Sequence, residues 1–265
     1  MSKKYKIHGF NNLTKTLNMN FYNICYISNK KMKERYIEFI NCNYNADNLT
    51  DILRNVTSMI GANILNIAKQ DYDPQGASAS LLISEGEIPI IRIDDSCNRG
   101  NVIPNTQHIV GHLDKSHVTV HTYPENNTSN DIFVIRIDIE ISTCGEISPL
   151  ESIDYLIEKF NSNIITIDYR VRGFSRDTSG RKHYIDHKIS SIQDFISQKN
   201  KLDYKMVDFN SPKNNIFYTK MIDNVFILDS YLFEMKKETL LDNHQIQSIT
   251  TKIKNEMNSI FFCEE

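Results

Sequence analysis

Between residues 132 and 142 the side chains alternate. Phe133, Ile135, Ile137, Ile139 and Ile141 fall on one side, and Arg136, Asp138, Glu140 and Ser142 on the other. A period of two belongs to an extended chain with one buried face, so a long β-strand is expected here. Further strands are expected at 62–70, 79–84, 117–122 and 164–170. The first two are joined through Asp71-Tyr-Asp-Pro-Gln-Gly76, whose proline and glycine suit a hairpin. The period becomes helical where Met32, Tyr36, Phe39 and Ile40 recur, and again over Ile52, Leu53, Val56, Met59 and Ile60. Ser148-Pro149-Leu150-Glu151 has the form of a capping box with proline at the first helical position. It predicts a helix over 149–160, buried through Leu150, Ile153, Leu156, Ile157 and Phe160. A last helix is expected over 242–260, capped by Asp242 and buried through Ile246, Ile249, Ile253, Met257 and Ile260. Residues 86–106 show no period and read as a long excursion.

Grouped hairpins with helices beside them argue for an α+β fold, an antiparallel-rich sheet with helices packed on one face. No internal repeat is visible. A core unit is expected over residues 1–175, with 176–265 as a C-terminal extension packed on it.

Composition removes several function classes. A chain of 265 residues can bury roughly three quarters of its unfolded surface and needs no staples to fold. A net charge of -3 and a pI near 6.2, with Lys and Arg scattered, leave no basic footprint for nucleic acid. A small soluble substrate is the default partner. The cysteines at 25, 42, 97, 144 and 263 are odd in number and contain no CxxC pair, so neither a zinc framework nor a disulfide scaffold is expected. A reducing cytoplasm fits them. The cationic start lacks a signal peptide's apolar core, and no apolar run approaches about 18 residues, so neither export nor a membrane span is expected.

The segment His112-Leu-Asp-Lys-Ser-His-Val-Thr-Val-His121 concentrates the candidate chemistry. Ser116, behind Asp114-Lys115 and before a β-prone run, is disposed to attack the carbonyl of the preceding peptide bond. Taken alone, Asp-Lys-Ser is ordinary turn composition, and Cys144, before a glycine at a strand end, would pass as buried filler. Histidines at 108, 112, 117 and 121 also permit a zinc-dependent hydrolase, since His108 and His112 have i,i+4 spacing. No HExxH glutamate accompanies them, and Ile109-Val-Gly111 is poor helix material.

Together with Ile141-Ser-Thr-Cys-Gly145, the histidine-rich segment resembles the S-adenosylmethionine decarboxylase proenzyme family, in its larger enterobacterial-type branch. So do His8-Gly-Phe-Asn-Asn-Leu-Thr14, Gly61-Ala-Asn-Ile-Leu-Asn-Ile67, Pro74-Gln-Gly-Ala-Ser78 and Thr166-Ile-Asp-Tyr-Arg-Val-Arg-Gly-Phe174, in order along most of the chain. The resemblance implies cleavage between Lys115 and Ser116 into chains 1–115 and 116–265. It also implies that Ser116 becomes a pyruvoyl group, a ketone that condenses with the substrate amine and serves as an electron sink without pyridoxal phosphate. By the same resemblance His121 is the proton acceptor in processing and Cys144 the proton donor in decarboxylation. Ser78 would help processing, and Phe10 would stack on the adenine. Magnesium is implied as an activator, with no ligands legible, and the product would feed aminopropyl transfer for spermidine. A non-catalytic regulatory homologue is the alternative within the family, disfavoured because serine, histidine and cysteine are all kept. The chain departs from more distant relatives at Asn11, Asn12 and Thr14, where they carry acidic residues, and at Lys115, where they have Glu.

Strand geometry adds an expectation of its own. At about 3.3 Å per residue, Ser116 and His121 lie roughly 16 Å apart and on opposite faces of an extended chain. Either the chain bends sharply after Ser116, or His121 serves the serine of another protomer. The second option implies a homo-oligomer whose sheets meet across a protomer interface.

Overall fold

The computed structural model describes residues 11–85, 116–125, 131–237 and 242–264. In chain order its elements are β1 (Thr14–Tyr26), α1 (Lys30–Asn43), α2 (Ala46–Met59), β2 (Asn63–Asp71), β3 (Ala77–Ser84), β4 (Ser116–Pro124) and β5 (Ile132–Cys144). After a 3₁₀ turn (Pro149–Ser152) come α3 (Ile153–Phe160), β6 (Ile164–Arg172), a small hairpin of β7 (Ser175–Arg176) and β8 (Lys182–His183), α4 (Gln198–Asp203), β9 (Tyr204–Asp208), β10 (Ile216–Asp223) and α5 (Asn243–Phe262). Eight strands make one antiparallel sheet in the order β2-β3-β4-β5-β1-β6-β10-β9.

β1 lies between β5 and β6 and pairs with both, a position the hydrophobic pattern left unassigned. Its outward face carries Asn18 and Asn20, residues that disfavour strands, while Leu17, Met19 and Phe21 are fully buried on the other. Because β5 and β6 both run antiparallel to β1, they are parallel to each other, and α3 is the crossover of a split β-α-β unit. β9 and β10, from the expected extension, prolong this sheet beyond β6.

One sheet face buries Leu17, Leu81, Val120, Ile139 and Ile167 under apolar stripes that include Leu49, Leu53 and Val56 of α2 and Leu156 and Phe160 of α3. Removing side chains of this size from water contributes about 1.5–3 kcal/mol each, which makes this face the main core. α1 adds Tyr36 and Ile40 to it. The opposite face is polar and half-exposed over most of its area. α5 crosses its far end, where Ile249, Ile253, Met257 and Phe261 meet Ile24, Tyr26, Ile132, Val134 and Ile164 in a second cluster. Helices therefore cover one face as expected, except for this last one. The run Ile132, Phe133, Val134 and Ile135 is buried without alternation because helices lie on both sides of it.

Side-chain caps begin the helices where asparagine and aspartate precede them. Asn29 Oδ1 accepts from the Met32 N–H, Asn45 Oδ1 from the Asn48 N–H and Asp242 Oδ1 from the Gln245 N–H. The expected cap at Ser148 is not made. The chain enters instead through the 3₁₀ turn, and the Ser152 hydroxyl donates to the Pro149 carbonyl. Among the described residues, no helix is long and apolar enough to cross a membrane.

Candidate active site

Ser116 opens β4, and Cys144 closes β5. The antiparallel register sets His117 opposite Ser142, so the start of one strand meets the end of the other. The Ser116 side chain is buried, and its Oγ accepts the backbone N–H of Cys144 at 3.1 Å. Cys144 is a free, half-buried thiol opposite Thr14 of β1, with Sγ 4.0 Å from the Thr14 Oγ1. Ser116 and Cys144, separated by 28 positions, thus share one end of two neighbouring strands.

The turn leaving β5 is held on several sides. Gly145 has φ +70°, a conformation glycine takes without strain, and an added Cβ would overlap the Glu85 carboxylate. Both Glu85 oxygens accept the Glu146 N–H, at 2.9 and 3.1 Å. From beneath the sheet, Lys15 Nζ donates to the Gly145 carbonyl at 2.9 Å and to Asp186 Oδ2 at 2.8 Å.

A second group lies toward the other end of β4. His121 stands on the half-exposed face between Ser78 of β3 and Asp138 of β5. The Ser78 and Tyr72 hydroxyls are 2.8 Å apart, and Tyr123 stacks on His121 with ring centroids 6.3 Å apart. Arg136 covers the outer face of Tyr123 at 4.3 Å. The buried Oδ1 of Asp138 has no hydrogen-bond partner. On the same face, His117 Nε2 lies 3.3 Å from Glu140 Oε1, and this hydrogen bond holds the Glu140 carboxyl below its usual range against a smaller opposing effect of burial.

The structure therefore brings Ser116 to the backbone N–H of Cys144 and His121 to Ser78, but leaves Ser116 and His121 toward opposite ends and on opposite faces of β4, with the Cys144 side chain in register with Asp138 and Glu140 on the His121 face. Phe10 and Lys115 lie outside the described residues, as do His108 and His112 of the zinc reading. Among the described residues no three His, Cys, Asp or Glu side chains converge as a metal-holding group, so magnesium gains no candidate ligands and the zinc hydrolase no support.

Comparison with known proteins decides the family. The model described as S-adenosylmethionine decarboxylase matches residues 33–173, more than half of the chain. The chain belongs to the S-adenosylmethionine decarboxylase family. The S-adenosylmethionine decarboxylase proenzyme of Alkaliphilus oremlandii (strain OhILAs) is 51% identical over 98% of this chain and 97% of that one. The protein of the same name from Pseudomonas syringae pv. tomato (strain ATCC BAA-871 / DC3000) is 50% identical over 99% of this chain and 98% of its own. Among solved structures, the adenosylmethionine decarboxylase from Aquifex aeolicus VF5 aligns with 68% of this chain and 100% of that one, at 13% identity and a TM-score of 0.35. That likeness is too slight to add anything.

For this family member, the hydrophobic pattern missed Lys15, Glu85 and Asp186. Lys15 carries a signal in hindsight, a charge in the buried register of Leu13, Leu17, Met19 and Phe21. Its legibility depended on recognising β1. Glu85 and Asp186 sit outside any period, and only tertiary structure brings them to the site.

Proposed function

We propose that the chain is a proenzyme that cuts itself between Lys115 and Ser116 and then works as a pyruvoyl-dependent enzyme. The decarboxylation of S-adenosylmethionine is the family's reaction and this chain's. In self-processing, Ser116 Oγ attacks the Lys115 carbonyl and the peptide becomes an ester. His121 takes the serine α-proton, elimination releases residues 1–115 as a carboxylate, and the serine remnant takes up water and loses ammonia.

The residues present suit a pyruvoyl group at position 116. The cut falls before the first residue of β4, so the ladders of β4 with β3 and β5 survive it. The Cys144 N–H on Ser116 Oγ is the single observation that best supports the reading, because it ties the reacting hydroxyl to the backbone of the residue expected to donate the proton. When formed, the pyruvoyl carbonyl supplies the electron sink for the breaking bond to the carboxylate. Cys144 Sγ–H donates the proton that replaces the carboxylate on the substrate's α-carbon. Ser78, held by Tyr72, assists His121 in processing, and Phe10 stacks on the adenine.

We further infer a homo-oligomer in which His121 of one protomer serves Ser116 of another, since within one protomer the two lie on opposite faces of β4. Residues 1–175 form the catalytic core and 176–265 an extension packed on it. The enzyme acts in the cytoplasm, where its product supplies aminopropyl groups for spermidine.

Intact mass and gel analysis of the purified protein test the reading. Two chains, the 116–265 fragment lacking a free amino terminus, together with a Ser116→Ala variant that stays whole, are the expected result. A wild-type chain recovered whole with a free amino end overturns it.

A further inference from the structure

Lys15 is the anomaly of the main core. It occupies a buried position of β1 between Leu13 and Leu17, and its side chain is 0% exposed. Its charge is met by Asp186, itself buried, whose other oxygen lies 2.6 Å from His187 Nδ1. Burial alone would raise the Asp186 carboxyl, but the His187 hydrogen bond and the Lys15 charge hold it well below the usual range. A buried ion pair is weak evidence of a stabilising role, because an apolar pair of similar volume often serves as well. The surroundings do not fit a self-contained structural network either. His187 Nε2 and Tyr169 Oη are both buried without a hydrogen-bond partner.

What the pair touches is the site. The remaining bond of Lys15 Nζ goes to the carbonyl of Gly145, the residue after Cys144, and the Cys144 N–H is the group that holds Ser116 Oγ. We propose that Lys15 is a positioning residue: through the Gly145 carbonyl it fixes the turn that carries Cys144 and orients Ser116, with Asp186 and His187 aiming it. Residues beyond 175 would thereby take part in the active-site scaffold. A charge-assisted hydrogen bond in a water-free setting suits this task, being short and directional. The proposal rests on the reading of Ser116 as the processed residue.

The test separates positioning from stability. Removing Lys15 alone strands the Asp186 charge, so the informative variant is Lys15→Met with Asp186→Asn, which removes both charges. It is expected to recover much of the melting temperature lost in Lys15→Met while self-cleavage, followed by gel, stays at least ten-fold slower than in the wild type. Lys15→Gln with Asp186→Asn keeps an N–H donor for the Gly145 carbonyl and is expected to recover part of the rate. Ile253→Ala, on the buried face of α5 in the other cluster, supplies a destabilised control that cleaves at the wild-type rate. Recovery of both stability and cleavage by the Met/Asn pair overturns the proposal. Should that pair not fold, Asp186→Asn alone gives the decision: cleavage as fast as Ile253→Ala at a matched melting temperature overturns it, and slower cleavage supports it. If Ser116→Ala itself still cleaves, the reading of Ser116 fails instead.

Discussion

Ser116 and His121 belong to the same straight strand, the serine buried against the helical side of the sheet and the histidine on the half-exposed side. Continuous pairing of β4 with β3 and β5 through this stretch leaves no bulge that could turn one toward the other. The two groups expected to exchange a proton in processing are thus held apart by the geometry of the sheet.

If His121 acts across a protomer interface, two inactive proenzymes can repair each other. Ser116→Ala lacks the nucleophile and His121→Ala the base, yet a mixed oligomer contains sites with one intact copy of each. Co-expressed or mixed before folding, the pair should yield the two fragments from the His121→Ala chain, to at most about half of its molecules if dimers assemble at random. A gel showing neither variant cut, with mixed oligomers demonstrated by differential tagging, would reject the shared site.

Asp138 stands opposite His121 with an unpartnered buried oxygen, a costly arrangement unless that oxygen is used. Orientation of the imidazole is one such use. General bases contribute roughly 10²- to 10⁴-fold, and loss of an orienting neighbour should forfeit a fraction of this. Asp138→Asn is expected to slow self-cleavage about ten-fold. Stability should stay close to the wild type, because the amide keeps the carboxylate's shape. Wild-type cleavage kinetics in this variant would separate Asp138 from processing.

Strands β3, β4 and β5 were legible because they alternate cleanly or carry a marked turn, and α1, α2, α3 and α5 because they show helical period. β1 was not legible, since asparagines fill its polar face and its strand character comes from neighbours on both sides. β9 and β10 were missed too. β9 has only 5 residues, and its Asp208 is tied down by Ser191, Gln193 and Thr219, contacts invisible in a linear pattern. At the site, Ser116, His121 and Cys144 were reached through ordered motifs resembling a known family rather than through periodicity. The pairing of Ser78 with His121 follows from strand register. Lys15, Glu85 and Asp186 converge on one turn from distant parts of the chain, so no local spacing could announce them.

Gly145 is constrained twice, by its positive φ and by the Glu85 carboxylate against the space a Cβ would fill. A left-handed conformation costs a non-glycine residue about 1–2 kcal/mol before any steric overlap is counted. Gly145→Ala should therefore lower the melting temperature by several degrees, and slow self-cleavage by displacing the Cys144 N–H. Adding Glu85→Ala removes the overlap but not the backbone strain, so the double variant should recover only part of the loss. Full recovery would make the steric contact the whole effect, and no effect of Gly145→Ala on cleavage would free the turn from a part in processing.

The Lys15–Asp186 pair also makes a prediction in pH. Asp186 has its folded-state pKa depressed below the ordinary aspartate value of about 3.9, so its ionised form is stabilised by folding. Such a group adds stability above that value and loses it as pH falls, at about 1.4 kcal/mol per pH unit until the folded pKa is reached. Other depressed carboxylates, Asp177 and Asp208 among them, act in the same direction. They cancel when wild type is compared with Asp186→Asn under identical conditions. Denaturant unfolding of both proteins should show a gap of about 3–5 kcal/mol at pH 7, the cost of stranding one partner of a buried pair. That gap should stay flat down to about pH 4 and narrow by about 1 kcal/mol by pH 3. A gap that stays constant to pH 3 would mean that Asp186 titrates as it does in the unfolded chain, and that the pair beneath the active-site turn carries no coupling.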